Sequence, residues 1–225
     1  METHFEMELD GLKQKLLLMA SHAETAVNQA LQALVQRNSE LAMQVKENDR
    51  VIDQFEVEID DLVIQLLTKA PLATNLRLVT VAMKISQNLE RIGDEASKVA
   101  KRARDLSREA PLKINLDLPR MAALALDMVK AALDAFVNWD SAAARAIIPR
   151  DKQVDALNKQ IHEALAQHMV ANPDSIGRCL NWMVATKSLE RIADHAKNIA
   201  EEVVYLCEAQ DIRHSVKLPG TTPPG

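Results

Sequence analysis

The chain has 225 residues, of which 48% are apolar, only 3% are aromatic and five are glycine. Leu, Ile, Val, Ala and Met must therefore fill the core, and turn glycines and aromatics are too few for a β-rich fold. The formal net charge is −5 with no lysine–arginine run, which argues against nucleic-acid binding and speaks mainly for solubility.

The acidic start, Met1-Glu2-Thr3-His4-Phe5-Glu6, lacks the apolar segment of a secretory signal. No apolar run approaches the ~20 residues that span a bilayer, so the expectation is a cytoplasmic protein. The first predicted helix runs from about Phe5 to Arg37. Asn38 or Ser39 can cap the second, because short polar side chains satisfy the free amides of a helix start. That helix reaches about Lys69 and stops before Pro71. The third covers Thr74 to Arg108 and the fourth Leu118 to Asn138. Asp140 and Ser141 offer caps for a fifth helix reaching Ala171, with Pro149 inside it as an expected kink. Asn172-Pro173-Asp174 breaks the chain again before a sixth helix that ends near Ala209, and Leu218 to Gly225 reads as a disordered tail. Cys179 and Cys207 share the sixth helix, about 42 Å apart at ~1.5 Å per residue, which forbids an internal disulfide and fits a reducing compartment.

Apolar positions repeat at bundle spacing. Leu89, Ile92, Ala96, Val99, Ala103 and Leu106 step by three and four, and Leu189, Ile192, Ala196, Ile199, Val203 and Leu206 repeat those steps. Val45, Ile52, Phe55, Ile59, Leu62 and Leu66 mark the second helix. Long helices with short connections imply antiparallel packing. The predicted fold is all-α, with six long helices forming two tandem, pseudo-repeated three-helix bundles: residues 1–110, residues 111–210 and a tail from 211 to 225.

The repeat is visible in the residues. Leu89-Glu90-Arg91-Ile92-Gly93-Asp94 matches Leu189-Glu190-Arg191-Ile192-Ala193-Asp194 at an offset of 100. Asp49-Arg50-Val51-Ile52-Asp53 matches Asp151-Lys152-Gln153-Val154-Asp155 at an offset of 102, as Met19-Ala20 matches Met121-Ala122. Two carboxylates four apart lie on one helix face, ~6 Å apart along the axis. If the second and third helices are neighbours, Asp49, Asp53, Glu90 and Asp94 can converge, as can Asp151, Asp155, Glu190 and Asp194. Oxygen donors of this kind suit magnesium, calcium, manganese or iron. Helical phase puts Glu90 and Asp94 roughly 130–170° from the core direction, at ~100° per residue, and so on the flank or outer face. Gly93 and Ala193 would leave room there for an ion or a close partner.

Exposed acids at this spacing are common on solvated helices, and Arg91 and Arg191 could neutralise them. Register kept through a duplication is what favours metal. His195 follows Asp194 and offers a nitrogen ligand, but Glu95 stands at that position in the first copy. His22, His162 and His168 lack matching partners, and Trp139 and Trp182 read as packing residues. A di-iron oxidase would need inward Glu-x-x-His motifs, and none occurs. No phosphate loop, nucleophile elbow or catalytic residue is found.

The doubled Leu-Glu-Arg-Ile-(Gly/Ala)-Asp, followed by Ala96 and Ala196 and preceded by Asp-x-x-(Ile/Val)-Asp, resembles the PhoU family of phosphate-signalling regulators over about residues 7 to 209. The resemblance implies a non-enzymatic, cytoplasmic and dimerising negative regulator of the phosphate-starvation response. It implies an adaptor between the ATPase subunit of a phosphate ABC transporter and a sensor histidine kinase, peripheral to the membrane through those partners. It also implies metal ions (iron, manganese, magnesium or zinc) on Asp49, Asp53, Glu90, Asp94, Asp151, Asp155, Glu190 and Asp194. A metal-dependent enzyme or metal-storage bundle is the alternative. Asn158 in place of Glu56, and Pro149 two residues before Asp151, predict a second site that is weaker or differently shaped.

Overall fold

Seven α-helices follow one another without a strand in the described residues, 4–69 and 72–213 of a computed structural model. They are α1 (His4–Gln36), α2 (Ser39–Leu67), α3 (Ala73–Ser107), α4 (Leu118–Asn138), α5 (Ser141–Ile147), α6 (Asp151–Ala171) and α7 (Ile176–Glu208). Pro71 and the 214–225 segment, with its expected tail, lie outside the described residues. Both predicted cap groups act: the Asn38 side chain accepts from the Glu40 and Leu41 amides, and Asp140 Oδ1 accepts from Ala143 at 2.9 Å.

The predicted fifth helix is two. Ile148-Pro149-Arg150 forms a 3₁₀ turn between α5 and α6, because proline has no amide to donate and its ring crowds the preceding turn. A second 3₁₀ turn, Pro173–Ser175, leads into α7. In a glycine-poor chain, helices α1, α4 and α7 are each followed by a non-glycine residue in a left-handed backbone conformation: Arg37 at φ 57°, Trp139 at 53° and Ala209 at 56°. Arg37 also donates from its guanidinium to the carbonyls of Leu106 and Glu109, tying the end of α1 to the end of α3.

Helices α1, α2 and α3 form the first bundle and α4, α5–α6 and α7 the second. All the seam residues predicted on α3 and α7 are buried, whereas Phe55 and Leu62 of α2 are only half-buried. On α1, Ala20, Ala23, Ala26, Ala30 and Ala33 are buried, and side chains this small let neighbouring helices approach closely.

The two bundles are joined chiefly through α3 and α7. Their seam is polar and follows the duplication. Asn88 Oδ1 accepts from Asn198 at 3.4 Å and lies 3.0 Å from His195 Nδ1. Buried Glu95 accepts from Lys98 Nζ at 2.9 Å and Arg191 Nη1 at 3.2 Å. Burial pushes the Glu95 carboxyl up, but hydrogen bonds from Lys98, Ser188 and Arg191 outweigh it and hold the carboxyl below the usual range. Glu202, also buried, is paired with Lys84 and Arg213. These ion pairs leave neither buried glutamate uncompensated in the seam.

Candidate functional site

Each half carries its acids along the seam between its second and third long helices. In the first half α2 supplies Asp49, Asp53, Glu56 and Asp60, and α3 supplies Glu90 and Asp94. Gly93 permits the close approach of α2. A Cβ there would sit 2.8 Å from Ile52 Cδ1 and 3.1 Å from Asp49 Oδ1. The space predicted beside Gly93 is therefore taken by α2 itself. In the second half the aligned pair is Val154 and Ala193, both fully buried. One methyl-sized volume has moved from one helix to the other.

The predicted outward placement of the acids needs correction by degree. Side-chain exposure is only 17% for Glu90, 13% for Glu190 and 10% for Asp151, against 40% for Asp94 and 44% for Asp194. Asp53 and Asp155 are exposed. A single core direction mispredicts the inner acids because α3 and α7 pack against neighbours on more than one side.

The two seams differ in charge. In the first, burial pushes the carboxyls of Asp49, Glu56 and Glu90 above their ordinary range. Repulsion adds to this: from Asp53 and Asp94 on Asp49, from Asp60 on Glu56, and from Asp94 on Glu90. Arg91 reaches Glu90 at 3.3 Å and Asp94 at 3.9 Å, but it is 63% exposed and offsets little of this. Asp60 Oδ1 is closed to solvent and has no hydrogen-bond partner.

In the second seam the counter-charge is covalently part of the chain. Lys197 Nζ donates to Asp151 Oδ2 at 2.6 Å and to Asp194 Oδ1 at 2.8 Å. Burial works against this ammonium, yet the hydrogen bonds to Asp151 and Asp194 outweigh it and hold the lysine well above its usual range. Lys187 Nζ reaches both oxygens of Glu190 at 2.7 Å, and Asn158 donates to the same carboxylate. Arg191, the counterpart of Arg91, turns instead to Glu95. Burial, and then repulsion from Asp151, pushes the Asp155 carboxyl above its usual range. The first half has Ser97, Gln87 and Glu56 at the positions of Lys197, Lys187 and Asn158.

A metal ion fits the chemistry of the first seam, whose half-buried acids lack a buried counter-ion. It does not fit the second unless the Lys197 ammonium leaves. Among the described residues no three His, Cys, Asp or Glu side chains stand in a metal-holding group. A cation in the first seam would have to draw its acids together. His195 is not aimed at the acids: it packs in the α3–α7 seam, and burial keeps its imidazole below the usual range. His162 Nε2 contacts Thr186 Oγ1 at 3.0 Å, His22 packs at a tilt against the Phe55 ring, and His168 approaches Asn172. Trp182 packs against the core, but Trp139 is 41% exposed at the end of α4. Lys197 was legible as a residue three positions after Asp194, on the same helix face. Its reach to Asp151 was not, because that contact crosses between helices.

The fold and site thus define a class: an internally duplicated, all-helical bundle protein with a carboxylate seam in each half. The PhoU domain family matches residues 16–103 and 118–203, one match in each half. The phosphate-specific transport system accessory protein PhoU homolog of Pseudomonas aeruginosa is 41% identical over 212 residues, covering 93% of this chain and 88% of that protein. The phosphate-specific transport system accessory protein PhoU of Escherichia coli K12 is 31% identical, with 93% and 88% covered. The crystal structure of PhoU from Pseudomonas aeruginosa superposes with a TM-score of 0.90 at 40% identity, covering 92% of this chain and all of that one. The phosphate transport system regulatory protein PhoU from Streptococcus pneumoniae superposes with a TM-score of 0.86 at 28% identity, covering 93% and 99%. The chain belongs to the PhoU family. No helix among the described residues is long and apolar enough to cross a membrane.

Proposed function

We propose that this protein is a cytoplasmic negative regulator of the phosphate-starvation response, working as a homodimeric adaptor between the ATPase subunit of a phosphate transporter and a sensor histidine kinase. Its relatives named as phosphate transport accessory proteins support the transporter half of this reading. The observation that carries the site is the first-half seam, where Asp49, Glu56 and Glu90 are pushed up and have no buried cation beside them. A divalent or ferric ion bound by Asp49, Asp53, Glu90 and Asp94 would relieve that repulsion and convert an acidic surface into a docking face. Asp151, Asp155, Glu190 and Asp194 play the structural counterpart, with Lys197 in the place of the ion. Non-enzymatic action agrees with relatives named as accessory and regulatory proteins. The metal-store or metalloenzyme alternative gains nothing from the buried acids, since Glu95 and Glu202 are each paired with two cations.

Deleting the gene should switch on phosphate-scavenging genes in phosphate-rich medium; unchanged expression would sink the regulatory reading. Membranes carrying the transporter and kinase should retain the purified protein. Elemental analysis of protein purified without added metal should find metal that is lost in the Glu90→Gln/Asp94→Asn variant and kept in the Glu190→Gln/Asp194→Asn variant.

A further inference from the structure

Beyond the acids, the seam between α2 and α3 opens into a groove of about 670 Å³. That volume lies within the ~300–1,000 Å³ of small-molecule sites. Because the helices are antiparallel, charge changes sign along the seam. Asp53, Glu56, Asp60 and Glu90 lie at one end, and Asp49 and Asp94 stand at the junction. At the other end the groove is lined by Lys46 and Arg50 of α2 and by Lys98, Lys101 and Arg104 of α3. Five cations thus face three acids, Glu47, Asp49 and Asp94, in a chain whose net charge is −5.

The cations are unspent. Lys98 is paired with Glu95, but Lys46, Arg50, Lys101 and Arg104 have no carboxylate within 4 Å among the described residues. Arg104 Nε is closed to solvent and still lacks a hydrogen-bond partner. Ala42, Met43 and Ala100 supply an apolar wall. The second half has dismantled the feature. Ile148, Asn198, Glu201 and Val204 stand where Lys46, Lys98, Lys101 and Arg104 stand in the first, and only Lys152, at the position of Arg50, keeps a positive charge.

We propose that this groove binds a small molecule carrying two or more phosphate groups, a nucleoside polyphosphate by its size and apolar wall. Guanidinium forks and ammonium groups match phosphate oxygens in charge and geometry. The phosphates sit against Lys46, Arg50, Lys101 and Arg104, away from the acids, and the nucleoside lies along Met43. Nothing in this depends on metal in the neighbouring seam.

Calorimetric titration of the full chain in EDTA with ATP, tripolyphosphate, inorganic phosphate and a poly-glutamate peptide tests it. ATP should bind at submillimolar concentration, and more weakly as salt is raised. Equal binding of tripolyphosphate would identify inorganic polyphosphate as the source of the same chemistry. Arg50→Ala/Lys101→Ala should weaken binding at least tenfold with the thermal midpoint unchanged, whereas Lys152→Ala should not affect it. No binding of ATP or tripolyphosphate at millimolar concentration would overturn the proposal. So would unchanged affinity in the double variant, or stronger binding of poly-glutamate, which would make the groove a seat for an acidic protein segment. Because the buffer holds no metal, failure here leaves the metal reading of the acids standing, and the converse holds too.

Discussion

The two halves of this protein solve one electrostatic problem in opposite ways. Each brings aspartate and glutamate from two helices onto a shared, partly buried seam. The second half neutralises them from within, with Lys197 between Asp151 and Asp194 and Lys187 on Glu190. The first half has Ser97 and Gln87 at those positions and leaves its acids repelling one another. A duplicated backbone can therefore carry one copy with its acids neutralised by lysine and the other with its acids left without a buried counter-ion. The difference lies in a few side chains that the helical framework tolerates equally well.

The largest effect should come from exchanging the counter-ions. Lys197→Ser leaves buried Asp151 without its partner and should destabilise the protein by about 2–3 kcal/mol, somewhat below a fully buried pair because Lys197 is 24% exposed. The same variant should gain a manganese-dependent rise in thermal midpoint, read by calorimetry with Asp155→Asn/Glu190→Gln as control. The reciprocal Ser97→Lys should raise the metal-free midpoint and abolish the first half's response to manganese. If both variants respond to metal like the wild type, the inequality of the halves has been misread.

Acid–base behaviour sharpens the same contrast. A carboxyl pushed up by folding binds its proton more tightly in the native state than in the unfolded chain. Its destabilising effect appears as pH rises through the ordinary carboxylate range toward the raised value, and it is fully present above that. The Asp49→Asn/Glu56→Gln/Glu90→Gln variant should therefore be more stable at neutral pH and lose stability less steeply with rising pH. Lys197 has linkage of the same sign in a far more alkaline window. Its stabilisation is complete below the usual lysine range and is lost only as pH climbs through its raised value. Urea unfolding from pH 4 to pH 8 reads the first-half carboxyls, and the same measurement at alkaline pH reads Lys197.

Packing offers a smaller test. Gly93→Ala gains helix propensity, ~1 kcal/mol, but drives a Cβ to 2.8 Å from Ile52 Cδ1. Ile52→Val alone should cost about 0.5–1.5 kcal/mol. Combined, they recreate the Val154 and Ala193 arrangement, and the double variant should be more stable than the two single effects added. Strict additivity would mean that the two positions do not share one volume. The smallest effect belongs to Ala209→Gly, which relieves a left-handed alanine at φ 56° and should stabilise by up to about 1 kcal/mol in chemical unfolding.

Helix content, the duplication and the buried seams of α3 and α7 were all legible in order and spacing. Periodicity of three and four residues is a local property, and an offset of 100 to 102 residues needs no coordinates. Pro149 announced the break between α5 and α6 because its missing amide acts within one turn. The eight acids could likewise be named, and each pair assigned to one helix face. Their burial and charge balance could not. Helical phase assumes one core direction, whereas α3 and α7 are covered from several sides. Lys197 reaches Asp151 across 46 positions, and Arg191 leaves its own motif for Glu95 in the other half. Only the packing of helices decided which acids keep a counter-ion. Coulomb interactions follow distance in space, which the order of residues along the chain does not supply.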